Sequence, residues 1–291
     1  MFTEETTLQE IYETAEFAGF AQRLFPLDLN MSPQMTLAQA SYALPWYGHS
    51  AKASRTVSIM NELRSRAQEG QTVFYEIYSF EEQQADVSKK RTGLLFFKGR
   101  PHAGTAIVNA GGAFQFVGGL QDSFPHCQYL AAQGYNAFAL IYRPGAKTGR
   151  KDLARAIAFL HEHAKELGLD MTGYSLWGGS AGARLAAWLG NDANNGGEKS
   201  YPKAGAVIMQ YTGFNQVTGQ EPPTMALVGS RDWIADYRIM QKRIDTIKAN
   251  GTPAVCKVYE GLEHGFGLGE GTKAEGWIDD AIAFWEENKR K

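Results

Sequence analysis

The stretch Trp177-Gly178-Gly179-Ser180-Ala181-Gly182 decides how the rest of the chain is read. Before it lies an apolar run, Tyr174 to Trp177, of strand character; after it, Arg184-Leu185-Ala186-Ala187-Trp188-Leu189 continues at helical spacing. A G-x-S-x-G run between strand and helix is a tight elbow that lifts a serine hydroxyl above the edge of a sheet. The positions two before and two after the serine must then be small, and Gly178 and Gly182 occupy them. Outside that context, the same five residues would be an ordinary Gly/Ser loop.

A serine hydroxyl is a weak nucleophile until a base takes its proton, and the base must be oriented by a third group. On an elbow of this kind the chain order is Ser, then Asp or Glu, then His. Five of the six histidines precede Ser180, so His264, in Glu263-His264-Gly265-Phe266-Gly267, is the candidate base. The candidate acid is Asp232, just after the apolar run Thr224 to Gly229. Its competing role is to cap a helix starting near Ile234. Asp236 and Asp245 fall inside that predicted helix, and Glu221 lies at the wrong end of the strand. The oxyanion formed on attack needs amide donors. Ala181 supplies one, and the glycine turn Ala110-Gly111-Gly112-Ala113-Phe114 is placed to supply the others. That turn lacks both the P-loop lysine and the G-x-G-x-x-G spacing of nucleotide binders.

Outward from the elbow, strands are predicted at 72–80, 93–98, 105–109, 136–142, 174–177, 204–210, 224–229 and 254–259. Helices are predicted at 151–167, 180–189, 234–249 and 273–288. Lys98-Gly99-Arg100-Pro101 reads as a hairpin turn between the second and third strands, giving an antiparallel edge. The β-α alternation that follows predicts an α/β fold, with a mostly parallel sheet of about eight strands and helices on both faces. Residues 1–70 contain helical periodicity (Leu8, Ile11, Tyr12, Ala15, then 51–69) broken by Pro26, Pro33 and Pro45. They read as an N-terminal helical segment that packs on a catalytic domain, 71–291, and is placed to serve as its lid.

Composition narrows the function classes. With 44% hydrophobic and 12% aromatic residues the 291-residue chain is an ordinary globular protein. Twenty-nine basic against 31 acidic residues, a net charge of -2, argue against a nucleic-acid partner. Cys127 and Cys256 are too few for a disulfide framework or a zinc site and are expected to be buried, and no metal or cofactor is expected. With no stretch of apolar residues long enough to span a membrane and no signal-peptide pattern at Met1-Phe2-Thr3-Glu4-Glu5, the default expectation is a cytoplasmic protein.

Over roughly residues 93–284 the chain resembles the α/β-hydrolase superfamily, in its branch of bacterial acetyl-esterase, hormone-sensitive-lipase-like and feruloyl-esterase-like carboxylesterases. The resemblance is carried by Asn109-Ala110-Gly111-Gly112-Ala113-Phe114, the Gly134 to Arg143 strand, Asp152-Leu153-Ala154-Arg155-Ala156, the elbow and His264-Gly265-Phe266-Gly267. It implies Ser180 as nucleophile, Asp232 as acid, His264 as base, and an oxyanion hole from the amides of Gly112, Ala113 and Ala181. Ala110 stands where the branch commonly has His, and Ala113 where it has a third Gly. The implied activity is hydrolysis of small acyl esters, of acetyl type and with carbohydrate as one alcohol, through an acyl-enzyme. Trp46, Phe116 and Trp233, with Tyr47 and His49, are aromatic candidates for stacking on the substrate, against the plainer reading of ordinary packing. A prolyl-oligopeptidase-type serine peptidase and a non-catalytic binding protein on the same scaffold are the alternatives.

Overall fold

A strand that is apolar on both sides needs cover on both sides, and the computed structural model, which describes residues 1–26, 28–48, 50–191 and 200–289, provides it. Helices come first: α1 (Leu8–Tyr12), α2 (Leu37–Ser41) and α3 (Ala53–Gln68). The first two begin at Thr7 and Thr36, each closing a reciprocal capping box with Glu10 and Gln39. There follow β1 (Phe74–Tyr75), α4 (Phe80–Ala85), β2 (Gly93–Phe97), β3 (Gly104–Asn109), α5 (Ser123–Ala132), β4 (Asn136–Ile141) and α6 (Ala146–Leu167). The chain continues through β5 (Asp170–Gly179), α7 (Ala181–Asn191), β6 (Ala206–Gln210), β7 (Thr224–Gly229), α8 (Tyr237–Ala249), β8 (Ala254–Tyr259) and α9 (Trp277–Asn288).

The strands form one eight-stranded sheet in the order β1-β2-β4-β3-β5-β6-β7-β8, antiparallel at β1-β2 and β2-β4 and parallel from β4 onward. Period-2 alternation divides the core into two layers. Leu95, Phe97, Ala106 and Val108 join α5, α9 and the N-terminal segment on one face, where Leu8, Ile11, Phe17, Leu37, Leu44, Tyr47 and Ile59 are fully or almost fully buried. Leu94, Phe96 and Ile107 join α6, α7 and α8 on the other. Among the described residues no helix is long and apolar enough to cross a membrane.

Several local expectations change. The strand predicted at 72–80 shrinks to Phe74–Tyr75, because Ser79 and Glu82 form a capping box that starts α4. Strands β2 and β3 do not pair as a hairpin, since β4 lies between them. The turn joining them bonds outward instead: the Gly99 amide donates to Asn136 Oδ1 at 3.1 Å and the Arg100 amide to the Gly134 carbonyl at 2.9 Å. Helix α6 starts five residues before the predicted 151, and α8 starts at Tyr237 with Asp236 as its cap rather than inside it. Helix α5 has no counterpart in the sequence reading. Cys127 is buried as expected, whereas Cys256 is only half-buried.

Candidate active site

The parallel strands β3, β5, β6, β7 and β8 end along one edge of the sheet, where Asn109 pairs with Gly178, Gly179 with Gln210, and Gly229 with Tyr259. Loops leaving that edge carry the candidate residues, the usual position for a site in an open α/β sheet. Ser180 sits between β5 and α7 at φ 51°, a left-handed backbone that a non-glycine residue holds only under constraint. The constraint is visible. The Ser180 amide donates to the Gln210 carbonyl at 3.0 Å, and the elbow is packed so closely that a Cβ on Gly182 would lie 1.9 Å from the Asn109 carbonyl oxygen. One on Gly178 would lie 2.3 Å from the Gly182 backbone, so glycine at both positions is a steric requirement.

Asp232 and His264 meet as the chain order predicts. His264 Nδ1 lies 2.8 Å from Asp232 Oδ2, with both side chains almost completely buried. The other carboxylate oxygen accepts from the amides of Ile234 at 2.9 Å and Ala235 at 2.7 Å. One Asp232 oxygen therefore fixes its own loop and the other faces the imidazole; no helix starts at Ile234 for it to cap, since α8 begins at Tyr237 behind Asp236. The His264 imidazole packs edge-on against the Tyr211 ring, with centroids 5.0 Å apart. Gln210 spans the two loops, its backbone accepting from Ser180 and its Nε2 donating to the Gly267 carbonyl at 3.0 Å. Among the described residues no hydrogen bond joins the Ser180 hydroxyl to His264; such contacts are often loose in ligand-free sites and tighten around a substrate.

The turn after β3 is strained in sequence: Gly112 has φ 142°, Ala113 54° and Phe114 62°. Its carbonyls are tied down, Gly111 by the Gly118 amide at 2.9 Å, Gly112 by the Gln115 amide at 2.9 Å, and Phe114 by the Gly145 amide at 2.7 Å. The amides of Gly112 and Ala113 donate to no backbone carbonyl among the described residues, and that of Ala181 opens α7, where no intrahelical acceptor exists. Three backbone donors are thus uncommitted on the two turns that flank Ser180.

The aromatic candidates separate. Trp46 and Phe116 pair at 5.9 Å, with Phe116 buried and Trp46 at the surface, while Trp233 stands out in solvent at 74% exposure. Tyr47 is wholly buried, and His49 lies outside the described residues. A cavity of about 340 Å³ opens beside His264, between the start of α3 and the loop carrying Phe266 and Leu268. Sequence reasoning missed Asp122 and Tyr211. The Asp122 carboxylate accepts from the Gly111 amide at 2.8 Å, Tyr47 Oη at 2.8 Å and Tyr211 Oη at 3.2 Å. These partners are scattered along the chain, so no spacing rule reveals them. Among the described residues no group of three or more His, Cys, Asp or Glu side chains is arranged to hold a metal ion.

An eight-stranded sheet of this order, with a serine elbow and a buried Asp-His pair along one edge, has the α/β-hydrolase fold. The BD-FAE family model matches residues 105–207, from β3 into β6. Comparison with curated protein sequences finds no match. Among solved structures, the chain is similar to apo esterase 2 of Thermogutta terrifontis, with 22% identity over 67% of this chain and 89% of that one and a TM-score of 0.58. That esterase phosphorylated by paraoxon aligns at 21% identity, over 67% and 86% of the two chains, with a TM-score of 0.52. The acetyl ester-xyloside bifunctional hydrolase of Caldicellulosiruptor lactoaceticus aligns at 20% identity, over 67% and 88%, with a TM-score of 0.61. A sugar hydrolase of Lactococcus lactis aligns at 19%, over 68% and 95%, with a TM-score of 0.59.

Proposed function

We propose that the protein is a serine carboxylesterase acting on small acyl esters, with acetylated carbohydrates as its substrate class. The carrying observation is the conjunction of Ser180 in a left-handed elbow with the buried Asp232–His264 pair at the same sheet edge. His264 Nε2 takes the proton as Ser180 Oγ attacks the ester carbonyl, and Asp232 holds the Nδ1 proton and stabilises the imidazolium. The amides of Gly112, Ala113 and Ala181 receive the oxyanion, each donor worth about 2.7–4 kcal/mol in the transition state. The alcohol leaves with the proton from His264; water then attacks the acyl-enzyme as His264 takes its proton, and that proton passes to Ser180 Oγ as the acid is released.

Carbohydrate as the alcohol is supported by Trp46, at the surface against buried Phe116 beside the oxyanion turn, and by the exposed Trp233 after Asp232, rings on which a sugar can stack. The acetyl ester-xyloside hydrolase and the sugar hydrolase among the structural neighbours point the same way. The test is hydrolysis of p-nitrophenyl acetate by the wild type and by Ser180→Ala, followed by an acyl-length series beside acetylated xylo-oligosaccharides. Loss in the variant and preference for acetyl are expected. Equal activity in both proteins would remove Ser180 as the nucleophile, and preference for long acyl chains would overturn the substrate class.

A further inference from the structure

Beneath the oxyanion turn lies a buried carboxylate that the triad does not use. Asp122 is 1% exposed, and three donors converge on it: the Gly111 amide, which begins the strained turn, the hydroxyl of Tyr47 and the hydroxyl of Tyr211. The distances place this cluster against the nucleophile. A Cβ built on Gly111 would stand 2.5 Å from Tyr47 Oη and 3.1 Å from Ser180 Cβ, and one on Gly179 would stand 2.4 Å from Asp122 Oδ2. Tyr211 carries the network on to the base, since its ring supports the His264 imidazole.

The N-terminal segment reaches the same edge by further ties. Ser50 Oγ donates to the Gly265 carbonyl at 2.9 Å, and Lys52 and Arg55 both pair with Glu270. Tyr47 thus belongs to a stretch clamped to both the oxyanion turn and the histidine loop. Burial, reinforced by the Asp122 charge, pushes both phenols far above their ordinary range, so they stay protonated donors at any working pH.

We propose that Asp122, held by Tyr47, is a positioning residue for the oxyanion turn, so that residues 44–48 form a fixed wall of the active site. The physical case is strain. Consecutive left-handed residues at Ala113 and Phe114 are strained and persist only where the surroundings over-determine them. Asp122 anchors the turn at its first amide, and Tyr47 fixes the carboxylate oxygen that does so, because both bonds end on Oδ2. Releasing that oxygen lets the turn relax away from the geometry in which its uncommitted amides meet the oxyanion.

The inference rests on the esterase reading, and the experiment separates the two. Wild type, Tyr47→Phe, Asp122→Asn and Asp122→Ala are titrated with a fluorophosphonate that labels Ser180, and kcat and KM for p-nitrophenyl acetate are taken per labelled site. Tyr47→Phe is expected to lower kcat about tenfold, equivalent to about 1.4 kcal/mol in the barrier, with KM within about twofold and the fluorophosphonate reaction slowed in parallel. Asp122→Asn keeps an oxygen for the Gly111 amide and is expected to retain more activity than Asp122→Ala. A lower Tm with unchanged kcat per labelled site would make the network structural and overturn the proposal, as would a change confined to KM. Failure of both Tyr47→Phe and Asp122→Asn to give folded protein would overturn it likewise. Absence of labelling at Ser180 in folded wild type would instead bring down the esterase reading, and this inference with it.

Discussion

At the scale of single residues, the division of labour on the Asp232 carboxylate makes a sharp prediction. Oδ1 accepts two backbone amides, from Ile234 and Ala235, and Oδ2 faces His264 Nδ1. In Asp232→Asn the amide oxygen must stay with the two backbone donors, which turns the new NH₂ toward His264. A donor facing Nδ1 forces the ring proton onto Nε2, and the base that Ser180 needs is gone. The expected loss in kcat is about 10⁴-fold with the fold intact, the size seen when a triad histidine is held in the wrong tautomer. Steady-state rates on p-nitrophenyl acetate beside a Tm measurement check this, and a loss smaller than about tenfold would take Asp232 out of the orienting role. Residue identity and chain order alone led to Ser180, Asp232 and His264, because Ser, acid and base each follow a strand in a set order. Asp122 and Tyr211 lay beyond such reasoning, and Tyr47 entered it only as an aromatic. What joins the three is a convergence in space, with Tyr47 and Tyr211 lying 75 and 89 residues from Asp122 in sequence.

At the scale of elements, legibility follows whether the deciding interaction is local. Strands β7 and β8 match their predicted limits, being runs of mostly apolar and β-branched residues, with Lys257 the exception, bounded by turn residues. Helix α5 has no counterpart in the sequence reading; it carries Pro125 in its first turn, where a missing N–H costs nothing. The β2-β3 turn has hairpin chemistry but takes its partners from Asn136 at the start of β4 and Gly134 just before it, a pairing that local sequence does not encode. The junction of β4 and α6 is of the same long-range kind. Asp152, at 0% exposure on α6, accepts from the Arg143 amide at 2.7 Å, from Arg143 Nη2 at 2.7 Å and from the Tyr78 hydroxyl at 2.8 Å. Truncation leaves the Arg143 amide and Nε without their acceptor and the guanidinium with only Asp86, Ser88 and the Tyr78 hydroxyl, so Asp152→Ala is expected to destabilise by about 3 kcal/mol, the low end for breaking a buried pair. Urea unfolding reads this as a lower midpoint at unchanged slope. A midpoint within error of wild type would mean that the Arg143 cluster contributes nothing net to holding α6 on the sheet.

For the whole molecule, the interface between the sheet, α5 and the N-terminal segment carries a pH signature through His126. Its side chain is 2% exposed, its Nδ1 bonds the Asp122 carbonyl at the start of α5, and its ring packs on Trp277 of α9. Burial holds its pKa below the ordinary 6.5, outweighing the Asp122 carboxylate and the Gly267 carbonyl that favour charge, while Arg55 opposes it. A base whose folded pKa lies below its unfolded one binds fewer protons when folded, so stability rises with pH across the interval between them. Acidification from pH 7.5 to 5.5 crosses the upper end of that interval at 6.5, and the unfolded chain then takes up a proton that the native state refuses. The Tm is therefore expected to fall over this range, and to fall less in His126→Gln. His161, half-buried with its pKa also lowered by burial, leaves a residual slope in the variant. Equal slopes in the two proteins would show that His126 titrates alike in both states, and that the α5 layer is open enough to solvate the charge.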